Sequence, residues 1–258
     1  MITHYSSQFV RRVYRRAARH FLGSITHVAT TEPVAALTFD DGPQAEATPQ
    51  LLDILKRHQA RATFFMLGHF ALQYPELVRR IAQDGHAIGN HSWDHASFPF
   101  ITGRQRREQI RACARAIAPY GQRLFRPPYG EQNLASWFDI VWMRHKVILF
   151  NCEVGDWFDT DPHRMAEALV QKVTPGSIVC LHDAIRSHPE LMPTLSRQPH
   201  ADREAMLTAV DMFLTRVGSR LRFITIPELL RRGYPQRQHW YRVTPLAPRS
   251  SAAPLPPS

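Results

Sequence analysis

Short apolar runs alternate with amphipathic segments along most of this chain. Seven runs predict strands: VAALTFD (34–40), ATFFML (62–67), HAIGNHS (86–92), the start of RLFRPPYG (123–130), VILFNCE (147–153), SIVCLHD (177–183) and RFITI (222–226). Segments with helical periodicity lie between or beside them, as in TPQLLDILKRHQ (48–59), PELVRRIAQDG (75–85), GRQRREQIRACARAIAPYG (103–121), NLASWFDIVWMRH (133–145), PHRMAEALVQKV (162–173) and REAMLTAVDMFLTRV (203–217). This alternation indicates parallel strands joined by right-handed crossovers. About seven such units, with no G-x-G-x-x-G after the first strand, favour an α/β barrel over an open sheet.

Ionisable side chains follow five of the predicted strands. They are Asp40 and Asp41, His91 and His95, Arg126, Glu153 and Asp156, and His182 and Asp183. Because functional sites of such barrels form at the carboxyl ends of the strands, these groups are expected to belong to one site.

The stretch ALTFDDGPQAEATP (36–49) ends an apolar run with two adjacent carboxylates, which repel each other unless a cation or a proton lies nearby. In NHSWDH (90–95), His91 and His95 are four residues apart, so we expect their rings to share one face of a helical turn. Two histidines and one aspartate suit a catalytic divalent metal, above all Zn²⁺, with Co²⁺, Fe²⁺, Ni²⁺ and Mn²⁺ as alternatives. The second aspartate is then free to take a proton from water.

The remaining polar groups each have a structural and a functional interpretation. His182 ends a very apolar strand, where a single histidine is ordinarily a hydrogen-bonded residue near the core, but beside a metal and a base it would supply the missing acid. Arg126 in FRPPYG marks either a surface turn or a fixed charge that keeps a carboxylate ionised. Trp157, after Asp156 in GDWFD, either anchors a loop or forms a floor for a sugar ring.

The motifs TFDDGP, HSWDH, RPPYG, GDW and CLHD, in this order, resemble the five motifs of the polysaccharide deacetylases, carbohydrate esterase family 4, also called the NodB homology domain. The resemblance extends from Pro33 to Gly233 and implies a single domain with a distorted (β/α)₇ barrel. It also implies a role for each matching residue: Asp41, His91 and His95 as metal ligands, Asp40 as base, Arg126 as its orienting partner, the Tyr129 backbone N–H as an oxyanion donor, Asp156 as the partner of the histidine, Trp157 in the groove, Cys180 beside the acyl group and His182 as acid.

Two positions depart from the family's usual pattern. Glu153 replaces the aspartate that usually opens the D-x-x-D-W motif, and Cys180 replaces a leucine that packs on the acetyl methyl group. Neither residue is a proposed metal ligand, base or acid. Hydrolysis of an N-acyl amino sugar is therefore still expected, with a less certain acyl group.

The net charge of +10 indicates an anionic neighbour, and part of it is concentrated near the N-terminus. Between Val10 and Phe21, apolar residues recur at helical spacing and arginines fill the gaps, so residues 9–22 are expected either to contact an anionic membrane or to pack on the domain as a first helix. Nucleic acid is the weakest alternative, because no binding motif accompanies the charge.

The chain is expected to divide into a basic segment (1–32), the deacetylase domain (33–235) and a proline-rich, disordered tail (236–258). No secretory signal is recognised, and the three cysteines form no C-x-x-C pair, which predicts buried thiols in a cytoplasmic protein that is peripheral on the inner membrane if the basic segment binds lipid. The sequence does not indicate an oligomeric state.

The motifs together predict a metal-dependent hydrolase that removes N-acetyl or related N-acyl groups from an amino-sugar oligosaccharide, polysaccharide or glycoconjugate. Three alternatives stay open: deacetylation or deformylation of a lipid-linked glycan at the membrane, a glycan-binding relative without activity, and a surface adaptor that acts through its basic helix.

Overall fold

The structure of the protein is a computed structural model that describes residues 23–185 and 202–238. The predicted membrane-binding residues 9–22 and most of the predicted tail lie outside the described residues.

Within residues 23–185 and 202–238, ten strands form a large parallel sheet and a small antiparallel pair. In chain order they are β1 (Ser24–Ala29), β2 (Val34–Asp40), β3 (Ala62–Met66), β4 (Ala87–Asn90), β5 (Gly121–Phe125), β6 (Lys146–Val147), β7 (Cys152–Glu153), β8 (Ile178–His182), β9 (Arg222–Phe223) and β10 (Tyr234–Gln238). Seven strands follow one another in the large sheet in the order β6-β5-β4-β3-β2-β8-β7, and β9 pairs with the start of β2. All pairings in this sheet are parallel, as the alternation of elements predicted.

Eight helices connect these strands in the described part of the chain. They are α1 (Ala47–Arg57), α2 (Gly68–Gln73), α3 (Pro75–Gln83), α4 (Gly103–Ala116), α5 (Leu134–Trp142), α6 (Pro162–Lys172), α7 (Glu204–Val217) and α8 (Ile226–Leu229). Side chains stabilise several helix starts: Thr102 and Gln105 form a capping box on α4, Asn133 and Ser136 do so on α5, and Asp161 caps α6.

The segment 147–153, predicted as one strand, is divided instead between the end of β6 and β7 and bridges the two edges of the curled sheet. Its first part, β6, pairs with β5, and its last part, β7, pairs with β8 at the opposite end of the sheet. Only residues 148–151 separate the two parts, so the edges of the curled sheet meet there. The prediction of a single strand was wrong because an extended segment that changes partners has the same apolar pattern as an uninterrupted strand.

Successive side chains of β2 point alternately into two hydrophobic clusters, one outside and one inside the barrel. Ala35, Leu37 and Phe39 belong to the larger cluster, which also contains α1 and α7, whereas Val34 and Ala36 belong to the cluster inside the barrel. Because side chains alternate between the faces of a strand, Thr38 and Asp40 continue the inward-facing series. The barrel interior is therefore apolar at its base and polar at the carboxyl ends of its strands.

β1 packs against the domain, although its residues lie within the N-terminal segment (1–32) expected from the sequence. It pairs antiparallel with β10, the Ile25 carbonyl accepts a hydrogen bond from Leu149 N (2.7 Å), and Val28 N donates to Gly176 O (2.9 Å). The folded domain thus includes residues before the expected boundary at 33 and after that at 235.

Gly176 tests the position of β1. Its φ is +83°, and a Cβ there would lie 1.8 Å from the Val28 carbonyl oxygen, whereas a Cβ on Gly85, with a similar φ of +82°, would meet nothing closer than 3.4 Å. We expect Gly85→Ala to lower the free energy of unfolding by about 1 kcal/mol and Gly176→Ala by at least about 2 kcal/mol more, measured by chemical denaturation. Equal losses in the two variants would contradict the close approach of β1 to Gly176.

Candidate active site

The carboxylate of Asp40 and the guanidinium of Arg126 form a buried ion pair at the end of β2. Arg126 Nη1 donates to Asp40 Oδ1 at 2.7 Å and to Thr38 Oγ1 at 2.6 Å, and the Arg126 side chain is only 1% exposed. Nη2 donates to the carbonyl of Leu149 at 3.2 Å, and the Phe65 ring lies 4.2 Å from the guanidinium carbon. These contacts fix Arg126 in place beside the Asp40 carboxylate.

The side chains of Asp41, His91 and His95 converge beside this pair. Asp41 Oδ1 lies 3.3 Å from Nε2 of each histidine, and all three residues are buried. Burial raises the pKa of the Asp41 carboxyl. The imidazoles of His95 and His91 lower it by a larger amount, so the pKa lies well below its usual value.

The two histidines meet through a loop and not through a helical turn, so the sequence interpretation of their spacing was wrong. The residues after β4 lack helical structure, and both Ser92 (φ 75°) and His95 (φ 69°) adopt the left-handed conformation. Ser92 Oγ accepts a hydrogen bond from the His95 backbone N–H at 3.1 Å. A four-residue separation is thus bridged by a folded-back loop that leaves the ring centroids 5.0 Å apart.

This donor set fits a divalent cation. Zn²⁺ bonds of 2.0–2.1 Å in tetrahedral geometry separate neighbouring ligand atoms by about 3.3 Å, which matches the two distances from Asp41 Oδ1 to the imidazoles. His91 Nδ1 lies 2.8 Å from the Arg126 carbonyl, so that an Nδ1–H donates there and the Nε2 lone pair faces Asp41. The three residues can therefore hold a metal in the neutral-imidazole form that metal binding requires.

His182, the partner of Asp40 in the neighbouring strand, belongs to a second network of charged side chains. Its Nδ1 is 3.1 Å from Asp156 Oδ1, and its backbone N–H donates to Asp156 Oδ2 at 2.9 Å. Arg203, also buried, donates from Nη2 to the same Oδ2 at 2.5 Å and from Nε to the His182 carbonyl at 3.1 Å. Burial lowers the pKa of His182, but the carboxylate of Asp156 more than offsets this, and the pKa is raised to about 9.

Cys180 contacts the predicted base directly. Its thiol donates to Asp40 Oδ2 at 3.5 Å, while Arg126 occupies Oδ1. Glu153, the other departure from the family pattern, is the register partner of Cys180 in the neighbouring strand, but its side chain is exposed.

The two predicted substrate-contacting aromatic residues lie beside different parts of the site. The Tyr129 ring meets the His95 ring edge-on at 4.2 Å, and the Tyr129 backbone is left-handed (φ 60°). Trp157 directly follows Asp156, is half-buried and packs edge-on against Phe158 at 4.7 Å. Their predicted roles toward a substrate stay predictions.

Two buried residues at the site were missed by the sequence interpretation. Arg203 stands at the start of α7 without a recognisable motif, and only its position in three dimensions reveals its contact with Asp156. Asp183 was noted at a strand end but given no role; its Oδ2 accepts a 2.6 Å hydrogen bond from Thr48, and burial raises its pKa to about 7. A Cβ at Gly42 would lie 2.2 Å from this carboxylate, so Asp183 and the turn after Asp41 pack closely.

Comparisons with known proteins identify the family of this chain. The family profile described as Polysaccharide deacetylase matches residues 27–142. A peptidoglycan-N-acetylglucosamine deacetylase of Bacillus cereus is 30% identical over 200 residues, which cover 75% of this chain and 67% of the relative. A chitooligosaccharide deacetylase of Azorhizobium caulinodans is 33% identical over 166 residues, 63% of this chain and 79% of the relative.

Solved structures show the same relationship. A crystal structure of a peptidoglycan N-acetylglucosamine deacetylase superimposes with a TM-score of 0.71 at 27% identity, over 83% of this chain and 94% of that one. The chain therefore belongs to the polysaccharide deacetylase family, carbohydrate esterase family 4. The predicted family, enzyme class and distorted barrel are confirmed.

The elevated pKa of His182 predicts a measurable dependence on Asp156. Since the folded-state pKa of about 9 exceeds the ordinary 6.5, protonation of His182 stabilises the fold below pH 6.5, and this contribution is lost as the pH rises through about 9. We expect Asp156→Asn to lower the His182 pKa to 6.5 or below, measured by NMR titration of the imidazole in metal-free protein. Asp159→Asn is the matched control, because buried Asp159 pairs with Arg164 instead; a wild-type His182 that titrates near 6.5 would contradict the network.

Proposed function

We propose that the protein hydrolyses the N-acetyl, or a related N-acyl, group of an amino sugar within a glycan. The observation that carries this proposal is a metal-ligand set, Asp41, His91 and His95, at the same strand ends as an Arg126-paired Asp40 and an Asp156-paired His182. The substrates named for the relatives, peptidoglycan N-acetylglucosamine and chitooligosaccharides, support an N-acetylglucosamine-containing substrate.

Asp40 serves as the general base in this mechanism. Asp41, His91 and His95 would hold a divalent cation, which would supply Lewis-acid chemistry toward the acyl carbonyl and toward water. Asp40 accepts the proton of the attacking water on Oδ2, because Arg126 holds Oδ1. The fixed guanidinium holds the Asp40 carboxylate in one orientation while Oδ2 receives that proton.

His182 serves as the general acid. Its pKa of about 9 leaves the imidazole protonated at neutral pH, so it can donate to the amine nitrogen as the carbon–nitrogen bond breaks. Asp156 orients the ring through Nδ1, which leaves Nε2 to face the leaving group. A tetrahedral oxyanion formed on the way requires a donor nearby, and the backbone N–H of Tyr129 is proposed for that role.

The adjacent aspartates provide a direct test. We expect Asp41→Asn to weaken Zn²⁺ binding at least tenfold, because one of three protein ligands is lost. Asp40→Asn should bind the first equivalent of Zn²⁺ like the wild type and lose turnover by about 10²–10⁴-fold. The measurements are metal content after dialysis and acetate release from N-acetylglucosamine oligomers.

Each isosteric variant is the control for the other. Wild-type turnover in Asp40→Asn would refute the assignment of the base, and unchanged Zn²⁺ affinity in Asp41→Asn would refute the ligand set.

A lipid-linked glycan is the second candidate substrate, favoured by an exposed apolar stripe on α5. Four apolar side chains of α5 are exposed in the part of the chain that the structure describes: Leu134 (60%), Phe138 (59%), Val141 (39%) and Trp142 (72%). The rings of Phe138 and Trp142 stack with their centroids 6.1 Å apart. An apolar stripe of this kind with basic neighbours suits an anionic lipid surface. Within the described ranges, no helix is long and apolar enough to cross a bilayer.

Charge complementarity supports lipid as the occupant of this stripe. Arg144 and Lys146, both exposed, follow α5 directly, and exposed Arg123 precedes Leu124, the strand partner of Lys146. Gln132 Nε2 donates to Ser24 Oγ at 2.5 Å, so the first strand of the described chain begins near the start of α5. Each basic residue near an anionic surface contributes about 1 kcal/mol.

Vesicle sedimentation tests this surface. We expect the wild type to bind vesicles of phosphatidylglycerol and phosphatidylcholine more tightly than pure phosphatidylcholine, and Phe138→Ser with Trp142→Ser to weaken that binding at least about tenfold. Leu72→Ser, at a position that is 61% exposed on α2, should leave binding unchanged. Absence of vesicle binding by the wild type, or equal binding by the double variant, would leave a water-soluble glycan as the substrate.

A further inference from the structure

We propose that Asp40, Cys180 and His182 form a second cation site, which takes a thiophilic divalent metal such as Zn²⁺ or Co²⁺ and blocks the active site when filled. This inference rests on the proposed function of Asp40 as base and His182 as acid. It concerns a set of ligands distinct from Asp41, His91 and His95.

Strand register brings the three side chains together. Asp40 pairs with His182, and Thr38 pairs with Cys180, between the parallel strands β2 and β8. Val179 and Leu181 belong to the larger hydrophobic cluster, outside the barrel. Because side chains alternate between the two faces of a strand, Cys180 and His182 face inward like Asp40. One ligand atom from each of the three residues lies within 4.8 Å of the other two.

The chemistry of the three groups is that of a zinc or cobalt site. A thiolate, an imidazole and a carboxylate are all ligands of Zn²⁺, and the sulfur favours thiophilic metals over Mg²⁺ or Ca²⁺. Binding replaces the S–H bond of Cys180 and one N–H bond of the protonated His182 imidazole with bonds to the metal. Both protons are released to solvent, without oxidation or reduction. Asp40 Oδ2 is available as a ligand, because the thiol that now donates to it loses its proton.

Arg126 lowers the metal affinity of this second site relative to that of the first site. Its Nη1 lies 3.7 Å from Cys180 Sγ and 2.7 Å from Asp40 Oδ1, so the guanidinium repels a cation bound there. Burial and the Asp40 carboxylate also raise the pKa of the Cys180 thiol, so a metal has to displace a tightly held proton. We therefore expect this site to bind more weakly than Asp41, His91 and His95. Entry is from the side of His182, whose side chain is 23% exposed while Asp40 and Cys180 are buried.

Occupation of this site prevents both proton transfers. A metal on Asp40 Oδ2 removes the oxygen that accepts the proton of water, and a metal on His182 removes the proton that the leaving amine requires. Excess metal should thus inhibit the enzyme that the first equivalent activates.

Cobalt titration of the chelator-treated full chain tests the site. We expect the first equivalent of Co²⁺ to restore activity without a sulfur-to-cobalt charge-transfer band in the near ultraviolet. Further Co²⁺ should produce that band and lower activity at least fivefold relative to the value at one equivalent. The band reports a cobalt–sulfur bond and does not depend on turnover.

The cysteines of the chain supply matched variants. Cys180→Ser should lose the band and at least tenfold in affinity for the second Co²⁺, each activity being compared with the same variant's value at one equivalent. Cys152→Ser, at another buried cysteine on the neighbouring strand, should keep both effects.

Two outcomes would overturn the inference: no sulfur band at any Co²⁺ concentration, or a band that persists in Cys180→Ser. Neither outcome affects the proposed function, which depends on activation by the first equivalent and fails separately if that equivalent restores no activity.

Discussion

Burial of ionised carboxylates at the ends of parallel strands is the constraint on which the rest of this site depends. Asp40, Asp41 and Asp156 are at most 4% exposed, and an isolated buried carboxylate costs several kcal/mol unless a cation or hydrogen-bond donors compensate it. Each has a separate partner set. Arg126 binds Asp40, two imidazoles flank Asp41, and Arg203 binds Asp156 together with His182. The separate compensation of each charge lets three acidic groups occupy one small region.

Backbone geometry explains how two adjacent aspartates acquire different chemistry. Asp40 is the last residue of β2 and faces inward by strand alternation, whereas Asp41 has a φ of 72° and turns toward the histidine loop. Gly42 then allows the chain to pass the carboxylate of Asp183, which a Cβ would meet at 2.2 Å. The like charges are thereby directed toward different cations, and their environments rather than their sequence positions distinguish a base from a ligand.

The sequence pattern predicted the strands, the helices and their parallel order, which depend on local periodicity. It missed contacts between residues that are far apart in the chain. The parallel order and the convergence of Asp41, His91 and His95 followed from apolar runs and strand-end motifs. The change of partners within residues 146–153 left no periodic signal, because both halves are extended and apolar. Arg203 carried no motif, and the thiol contact between Cys180 and Asp40 depends on strand register, which a sequence does not display. The role of Cys180 beside an acyl group stays a prediction.

The apolar interior of the barrel makes the polar end more effective. Arg126 rests against Phe65 and donates to the carbonyls of Ile148 and Leu149, groups that belong to the closing segment of the barrel or lie against it. Because water has little access to a guanidinium that is 1% exposed, its attraction for Asp40 is screened far less than at a surface. Its position is also fixed by the segment that joins the sheet's two edges. Barrel closure and the charge state of the proposed base are therefore coupled: a fold that failed to close at residues 146–153 would leave Arg126 without its carbonyl acceptors and Asp40 without a fixed cation.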